Sequence, residues 1–379
     1  MGAGTGLEKE FRKGRGGKRV LKFIVFTTLF ILMLISGFVA SYKFVTDDLG
    51  NKDNEVTIDI SPEQGIPVEI PMGSSTDKIA AILQEKGLVK YPAVFKLQSK
   101  LNGYDGMYKS GTHIVSYDLD YDKLMRVLAS KPVSVRVTIP EGYTFNQIMD
   151  ELTNKKLIDK AKFSDIAKNE KYDFEYLKGA NRGQNLLEGY LFPDTYEFDM
   201  KAGENAIIKI MLKNFDDKFK PEYYKRLKDL NMTVDKVITL ASIIEKEAKL
   251  PEDRKVIAGV FYNRLNGRYG APRRLESCAT MQYIYLTREA GNTPEDTKKR
   301  IARGVILDND KKTNDPFNTY KFDGLPPGPI CSPGKAAIEA ALYPEDTSYI
   351  YFVAKGDGGT YFSKTLAEHN AAVAKYGIK

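Results

Sequence analysis

The chain has 379 residues, enough for two or three domains, and its 42% hydrophobic and 28% charged residues are ordinary globular composition, which argues against disorder or many membrane spans. The net charge of +7 is lopsided: residues 1–22 hold seven basic side chains against two acidic ones, which leaves +2 on the other 357 residues. A nearly neutral remainder lacks the basic footprint of a nucleic-acid binder, so no nucleic-acid partner is expected. The two histidines (His113, His369) and two cysteines (Cys278, Cys331) are far apart, without HExxH or CxxC spacing, and no GxxxxGK[ST] loop or GxSxG elbow occurs. Carboxylates and tyrosines remain as acid–base candidates, and without Trp any sugar-stacking surface must use Tyr or Phe.

Residues 1–22 read as a basic cytoplasmic tail. Phe23–Ala40 (FIVFTTLFILMLISGFVA) is an eighteen-residue run without a charge, and Ser41 and Tyr42 extend it to residue 42. That length suits a helix crossing a bilayer core of roughly 30 Å. By the positive-inside rule, the span leaves the N-terminus cytoplasmic and the rest extracytoplasmic, a single-pass plasma-membrane topology. The competing reading is a signal peptide cleaved near Val39-Ala40-Ser41, but the apolar run exceeds the roughly 7–15 residues of a signal core. Both cysteines then face an oxidising space, where a disulfide and two free thiols are both open.

Residues 43–62 form a polar linker with one alternation, Val56, Ile58, Ile60. Beyond it lies an internal repeat at a spacing of 69: VEIPMGSSTDKIAAILQEKGLVK (Val68–Lys90) aligns without gaps on VTIPEGYTFNQIMDELTNKKLID (Val137–Asp159). In each copy an alternating strand ends at Pro, Gly makes a turn, and Ser or Thr caps an amphipathic helix. Ile79 and Leu83, or Ile148 and Leu152, form the apolar i,i+4 pair of that helix. The pattern predicts an α+β fold, and two copies are too few for a solenoid. Between the copies, Tyr104–Thr112 reads as a turn entering a strand, and Tyr121–Ser130 as a short helix. After them LLEGYLFPDTYEF (Leu186–Phe198) is dense in aromatics, with Pro193 stopping any helix. Its aromatic rings, Tyr190 among them, could line a saccharide cleft with the adjacent Glu188, Asp194 and Glu197, or plug a junction between domains.

Thr233–Lys249 (TVDKVITLASIIEKEAK) predicts a long helix capped by Thr233 and stopped before Pro251. Val234, Val237, Ile238, Leu240, Ala241, Ile244 and Ala248 share one apolar arc. Glu245 falls within that arc, Glu247 just past its far edge, and Lys246 points away. A carboxyl on a buried stripe forms a salt bridge, takes a structural hydrogen-bonding role, or acts as a functional acid with a pKa raised by burial. Helical position alone leaves the three open. Near the C-terminus, Tyr349–Val353 and Thr360–Phe362 flank Gly356-Asp357-Gly358-Gly359, a hairpin signal.

An ordered set of motifs goes further. LASIIEKEA (Leu240–Ala248), Arg254, GVFYNRL (Gly259–Leu265), RLESCATMQY (Arg274–Tyr283), NTY (Asn318–Tyr320) and GLPPGPICSPG (Gly324–Gly334) resemble the YceG-like endolytic murein transglycosylase family. EGYLFPDTYEF upstream and YFVAKGDGGTYFSKTLAEHN (Tyr351–Asn370) downstream fit the same family in the same order. At Ser277-Cys278-Ala279 the chain departs from the acidic residue and proline that many relatives carry.

The resemblance implies a transmembrane helix (23–42), a small LysM-like α+β module (63–132), and a YceG-like domain. The domain would comprise the second repeat copy with a connecting region (133–230) and a catalytic core (231–379) whose central helix carries the catalytic Glu. The implied activity is lytic cleavage of the MurNAc–GlcNAc bond in nascent glycan strands, giving 1,6-anhydroMurNAc ends and terminating elongation. One carboxyl group first protonates the glycosidic oxygen and then deprotonates the C6 hydroxyl, so no metal or cofactor is required. The resemblance assigns that carboxyl to Glu245, with Glu247 as the fallback or a supporting group. Glu188, Tyr190, Asn263, Gln282 and Tyr320 become substrate-binding candidates. The implied partners are peptidoglycan strands, the plasma membrane and peptidoglycan synthases. The alternatives are a non-catalytic membrane-anchored scaffold, or a hydrolytic muramidase using a second carboxylate such as Glu188.

Overall fold

The computed structural model describes residues 14–49, 65–178, 180, 187–289 and 291–376. The alternation Val56, Ile58, Ile60, most of the 43–62 linker and Leu186 lie outside them. The chain divides into two units, Met1–Asp59 and Ile60–Lys379.

In the first unit, α1 (Gly14–Leu49) is a single helix of 36 residues, longer at both ends than the apolar run alone predicts. Its segment Leu21–Ala40, 20 residues with a mean hydropathy of 2.5, buries none of its side chains against protein. Among the described residues this is the one helix long and apolar enough to cross a membrane. Its hydroxyls are satisfied within the helix. Thr27 Oγ1 donates to the Phe23 carbonyl at 2.9 Å and Thr28 Oγ1 to that of Ile24 at 2.7 Å.

The second unit begins with the repeat. The first copy runs β1 (Ile66–Ile70), α2 (Thr76–Glu85), α3 (Pro92–Leu101), β2 (Gly111–Val115), followed by α4 (Tyr121–Ala129). The second runs β3 (Ser134–Thr138), α5 (Phe145–Asn154), α6 (Lys160–Asn169), β4 (Thr195–Asp199). Each copy closes an antiparallel two-stranded sheet, with Val68 opposite His113 and Val137 opposite Tyr196. The caps are those read from sequence. Ser75 Oγ accepts from the Lys78 N–H, while Thr144 and Gln147 form a reciprocal capping box. Ile79, Leu83, Ile148 and Leu152 are all buried. The copies are joined where the Asp199 carboxylate accepts from the Thr112 backbone N–H and, at 2.7 Å, from its hydroxyl.

Two hydrophobic cores follow. One is built from β1 through α4, around Val68, Leu83, Phe95 and Leu128. The other runs from Val137 to Leu342, so the second repeat copy shares its interior with everything after it. Its axis is α9 (Val234–Glu247), in which Val237 to Ile244 are all buried. α7 (Glu204–Lys218) and α8 (Pro221–Leu230) precede it, and α8 ends at Asn231 in the left-handed region, φ 51°. α10 (Asp253–Leu265) and α13 (Lys335–Leu342) pack on α9, α11 (Cys278–Tyr283) borders it, and α12 (Glu295–Ala302) packs on α11. The C-terminal hairpin is present as β5 (Tyr351–Ala354) and β6 (Thr360–Ser363), with Phe352 opposite Phe362, and α14 (Leu366–Tyr376) packs on it.

The aromatic segment after the second copy is a plug, not a cleft wall. Tyr190, Phe192, Tyr196 and Phe198 are buried, and Tyr190 packs on Tyr176 and Phe215 with ring centroids 5.4 and 5.1 Å apart.

α10 approaches the loop before β5 so closely that a Cβ at Gly259 would stand 2.3 Å from the Glu345 carbonyl oxygen. Backbone cannot yield as a flexible side chain can. Gly259→Ala is therefore expected to destabilise the fold by about 1–3 kcal/mol, the usual cost of overpacking. A lowered denaturant midpoint is the readout, and an unchanged midpoint would contradict the packing described.

Candidate functional site

The C-terminal end of α9 is where two loops meet. Glu141-Gly142-Tyr143 is laced to Cys331-Ser332-Pro333-Gly334 by two backbone bonds, Gly142 N–H to Ser332 O at 2.9 Å and Ser332 N–H to Tyr143 O at 2.8 Å. Glu245 closes this knot. Its Oε2 accepts from the Gly334 N–H at 2.9 Å, the N-cap of α13, and its Oε1 accepts from Arg254 Nη2 at 3.2 Å. A carboxylate there also meets the positive end of the α13 dipole. The Glu245 side chain is only 7% exposed. Glu141 stands 3.9 Å from the same Arg254 nitrogen. Burial and the neighbouring Glu245 push the Glu141 carboxyl above the usual range, while Arg254 pulls it down. A Cβ at Gly334 would fall 1.8 Å from a Glu141 oxygen, so any side chain there would displace the Glu141 carboxyl.

Two residues on, Glu247 faces different surroundings. It lines a cleft of about 890 Å³, whereas Glu245 does not. Its Oε1 accepts from Ser277 Oγ and, at 3.3 Å, from the Ala279 N–H. Burial pushes the Glu247 carboxyl up, and these two donors act against it. Thr319 Oγ1 steadies the donors, accepting from the Ser277 N–H at 3.0 Å and lying 2.8 Å from the Thr280 hydroxyl. The neighbouring Asn318 is fully buried, and its amide donates to the Lys311 and Thr313 carbonyls. The NTY motif thus shapes a loop, braces the Ser277 turn and delivers Tyr320 to the cleft.

Arg264 forms part of the cleft floor. It donates to the carbonyls of Ile350, Arg274 and Leu275 and to Glu276 Oε2, and lies over the Tyr351 ring. Glu276 sits at φ 54°, a backbone region that non-glycine residues occupy at a cost and that clusters at functional sites. His369 stacks on Tyr351 at 5.1 Å, and burial followed by nearby Arg264 pushes its pKa down.

The sequence candidates separate accordingly. Gln282 and Tyr320 line the cleft. Gln282 Nε2 donates to the Ile301 carbonyl at 3.1 Å, and the Tyr320 hydroxyl lies 3.2 Å from Cys278 Sγ. The other three, Glu188, Tyr190 and Asn263, lie away from the cleft lining, each buried and bonded within the protein. Glu188 accepts from the Phe145 N–H and the Tyr283 hydroxyl, and Tyr190 donates to Asp235. Asn263 donates to the Thr347 and Tyr349 carbonyls, anchoring the approach to β5. Both cysteines are free thiols with separate partners, Tyr320 for Cys278 and the Ser242 carbonyl for Cys331. Arg254, Ser277 and Glu276 lie within or beside the quoted motifs, but nothing local in the sequence marks their roles.

The chain is similar to known proteins along most of its length. The endolytic murein transglycosylase of Streptococcus pneumoniae strain D39 is 31% identical over 381 residues, covering 94% of this chain and 65% of that protein. The chain thus spans slightly less than two thirds of the pneumococcal relative's length. The endolytic murein transglycosylase of Bacillus subtilis is 32% identical over 345 residues, covering 86% of each chain. A crystal structure of a YceG-like protein from Listeria monocytogenes superposes with a TM-score of 0.51 at 34% identity, over 81% of this chain and 98% of that one. The model of the YceG-like family matches residues 68–375, which take in both repeat copies, the α9 knot, the cleft and the C-terminal hairpin. The chain belongs to the YceG-like family.

Proposed function

We propose that this chain is a membrane-anchored endolytic peptidoglycan lytic transglycosylase whose general acid is Glu247. The observation that carries the proposal is a lone carboxyl at a polar cleft. Among the described residues two carboxyls line that space, and Glu276 is bound to Arg264 at 2.9 Å, which leaves Glu247 as the carboxyl with no cation bound to it. Burial favours its neutral form, the one needed to protonate a glycosidic oxygen. As the bond to the leaving sugar breaks, oxocarbenium character develops on MurNAc. The Glu247 carboxylate then takes the proton of the C6 hydroxyl, whose oxygen closes the 1,6-anhydro ring. Ser277 and the Ala279 N–H would stabilise the anion in that second half. Gln282 and Tyr320 are neutral groups suited to sugar hydroxyls and N-acetyl groups.

The family resemblance points first to Glu245, but its setting suits a positioning residue. Both oxygens are spent on Arg254 and Gly334, which lock the helix end that presents Glu247. The relatives named endolytic murein transglycosylases support the reaction class. The basic N-terminal tail supports a cytoplasmic N-terminus with the cleft outside, and the paired strand–helix–helix–strand copies are compatible with a LysM-like first module that positions glycan. A tethered cutter would meet strands near the membrane as synthases extend them.

The deciding experiment is muropeptide analysis of strands treated with the purified full chain. Products ending in 1,6-anhydroMurNAc are expected. Reducing MurNAc ends would point instead to a hydrolytic muramidase, and unshortened strands that still bind the protein would point to a scaffold.

A further inference from the structure

The charge on the Glu247 cleft has no counterpart in the sugar backbone it would receive. Six basic residues line it, Lys246, Lys249, Arg264, Arg274, Arg303 and Lys311, against two acids, although the chain beyond its first 22 residues carries a net charge of only +2. Arg264 is neutralised by Glu276 at 2.9 Å. Lys311 shares its charge with the exposed Asp308. Lys249, just past the end of α9, and Arg303, just past the end of α12, are both exposed and have no acidic partner among the described residues. Like charges gathered at a concave surface repel one another and focus a positive potential into it, an arrangement that suits an anionic ligand.

Within the strand-cleaving function proposed above, on which this step rests, the GlcNAc–MurNAc backbone is uncharged. The anionic groups of the polymer are the carboxylates of the stem peptides, attached through the lactyl ether of MurNAc beside the scissile bond. We infer that Lys249 and Arg303 form a stem-peptide subsite, in which carboxylates of the acidic stem are held at the cleft rim and the strand is thereby seated over Glu247. The subsite sets which strands are taken and does not enter the bond-breaking step. Its contribution belongs in KM, and added salt should weaken it because both side chains are exposed.

The test compares two substrates with the full chain in detergent: stem-bearing glycan strands, and the same strands with their stem carboxylates converted to carboxamides. Wild type is expected to show a KM about 3–10-fold lower on the carboxylate strands, the range that two exposed ion pairs supply. Lys249→Gln/Arg303→Gln should raise KM on those strands to the amidated value, leave KM on amidated strands where it was, and shift kcat little. Equal wild-type KM values on the two substrates would overturn the inference, as would a variant that loses equally on both. Should wild type cleave neither substrate, the parent function fails. Fluorescence-anisotropy binding of the two strands then decides the subsite alone: tighter binding of carboxylate strands, lost in the double variant, supports it, and equal binding refutes it.

Discussion

Glu247→Gln is expected to lower glycan cleavage by about 10²–10⁴-fold, the usual weight of a positioned general acid, without unfolding the protein. Glutamine keeps an oxygen for the Ser277 hydroxyl and the Ala279 N–H, so the local bonds survive while the transferable proton is lost. The Glu247 pKa is raised in the folded protein, so the carboxyl stabilises the fold below the ordinary Glu pKa. That contribution is lost as pH rises through the raised value. At neutral pH the wild type therefore carries a penalty that the Gln variant lacks. Glu247→Gln should melt at a higher temperature than wild type there, and the difference should close as pH falls below the ordinary carboxyl range. Wild-type turnover should decline as pH rises through the same raised value, because the acid must begin the cycle protonated. Glu245→Gln should behave oppositely. It breaks the ion pair with Arg254, whose remaining acidic neighbour Glu141 is 3.9 Å away, so its melting temperature falls and its activity loss follows the loss of fold. An active Glu247→Gln beside a well-folded, inactive Glu245→Gln would reverse the assignment.

The sequence separates these two glutamates only halfway, and the reason is geometric. A helical wheel reports which side of α9 faces the interior, and it places Glu245 there. It does not report what stands opposite. The partners of Glu245 are nine residues on at Arg254 and 89 residues on at Gly334, and only the folded chain brings the second within reach. A carboxyl in the middle of a packed arc meets protein on all sides and tends to be consumed by it. One at the edge of the arc borders the space where a ligand can enter. Local features were more legible, because short-range chemistry decides them. The Ser75 and Thr144 caps, the Ile148–Leu152 pair and the hairpin around Asp357 depend on residues within a few positions of one another. The interior placement of Glu188, Tyr190 and Asn263 is hidden from the sequence for the complementary reason. Each is a polar group whose partners lie more than 40 residues away, so nothing local marks it as part of the interior.

Arg264→Met is expected to be the most destabilising single change in the chain from α9 onward, at about 3–5 kcal/mol, the cost of breaking a buried pair from one side. The Arg264 side chain is 6% exposed, and its guanidinium serves two directions at once. Nε reaches the Ile350 carbonyl at 2.8 Å, which fixes the entry to the C-terminal hairpin. Nη1 gathers Arg274 O at 2.9 Å, Leu275 O at 3.1 Å and Glu276 Oε2 at 2.9 Å, which fixes the turn leading to Ser277. Methionine fills the space but leaves three carbonyls without this donor and the Glu276 charge without its closest partner. Arg274, the other cation near Glu276, stands 4.0 Å away and is half exposed, so it compensates little. Lysine retains a charge but not the planar fork, so Arg264→Lys should fall between wild type and Arg264→Met. Adding Glu276→Gln to Arg264→Met should recover part of the loss by removing the stranded carboxylate. Denaturant midpoints of the four proteins give the comparison, and an Arg264→Met cost below about 1 kcal/mol would show that the buried fork is dispensable. Cleavage provides a second readout. The turn held by Arg264 carries Ser277, the donor to Glu247, so Arg264→Lys should lose turnover even at temperatures where it remains folded.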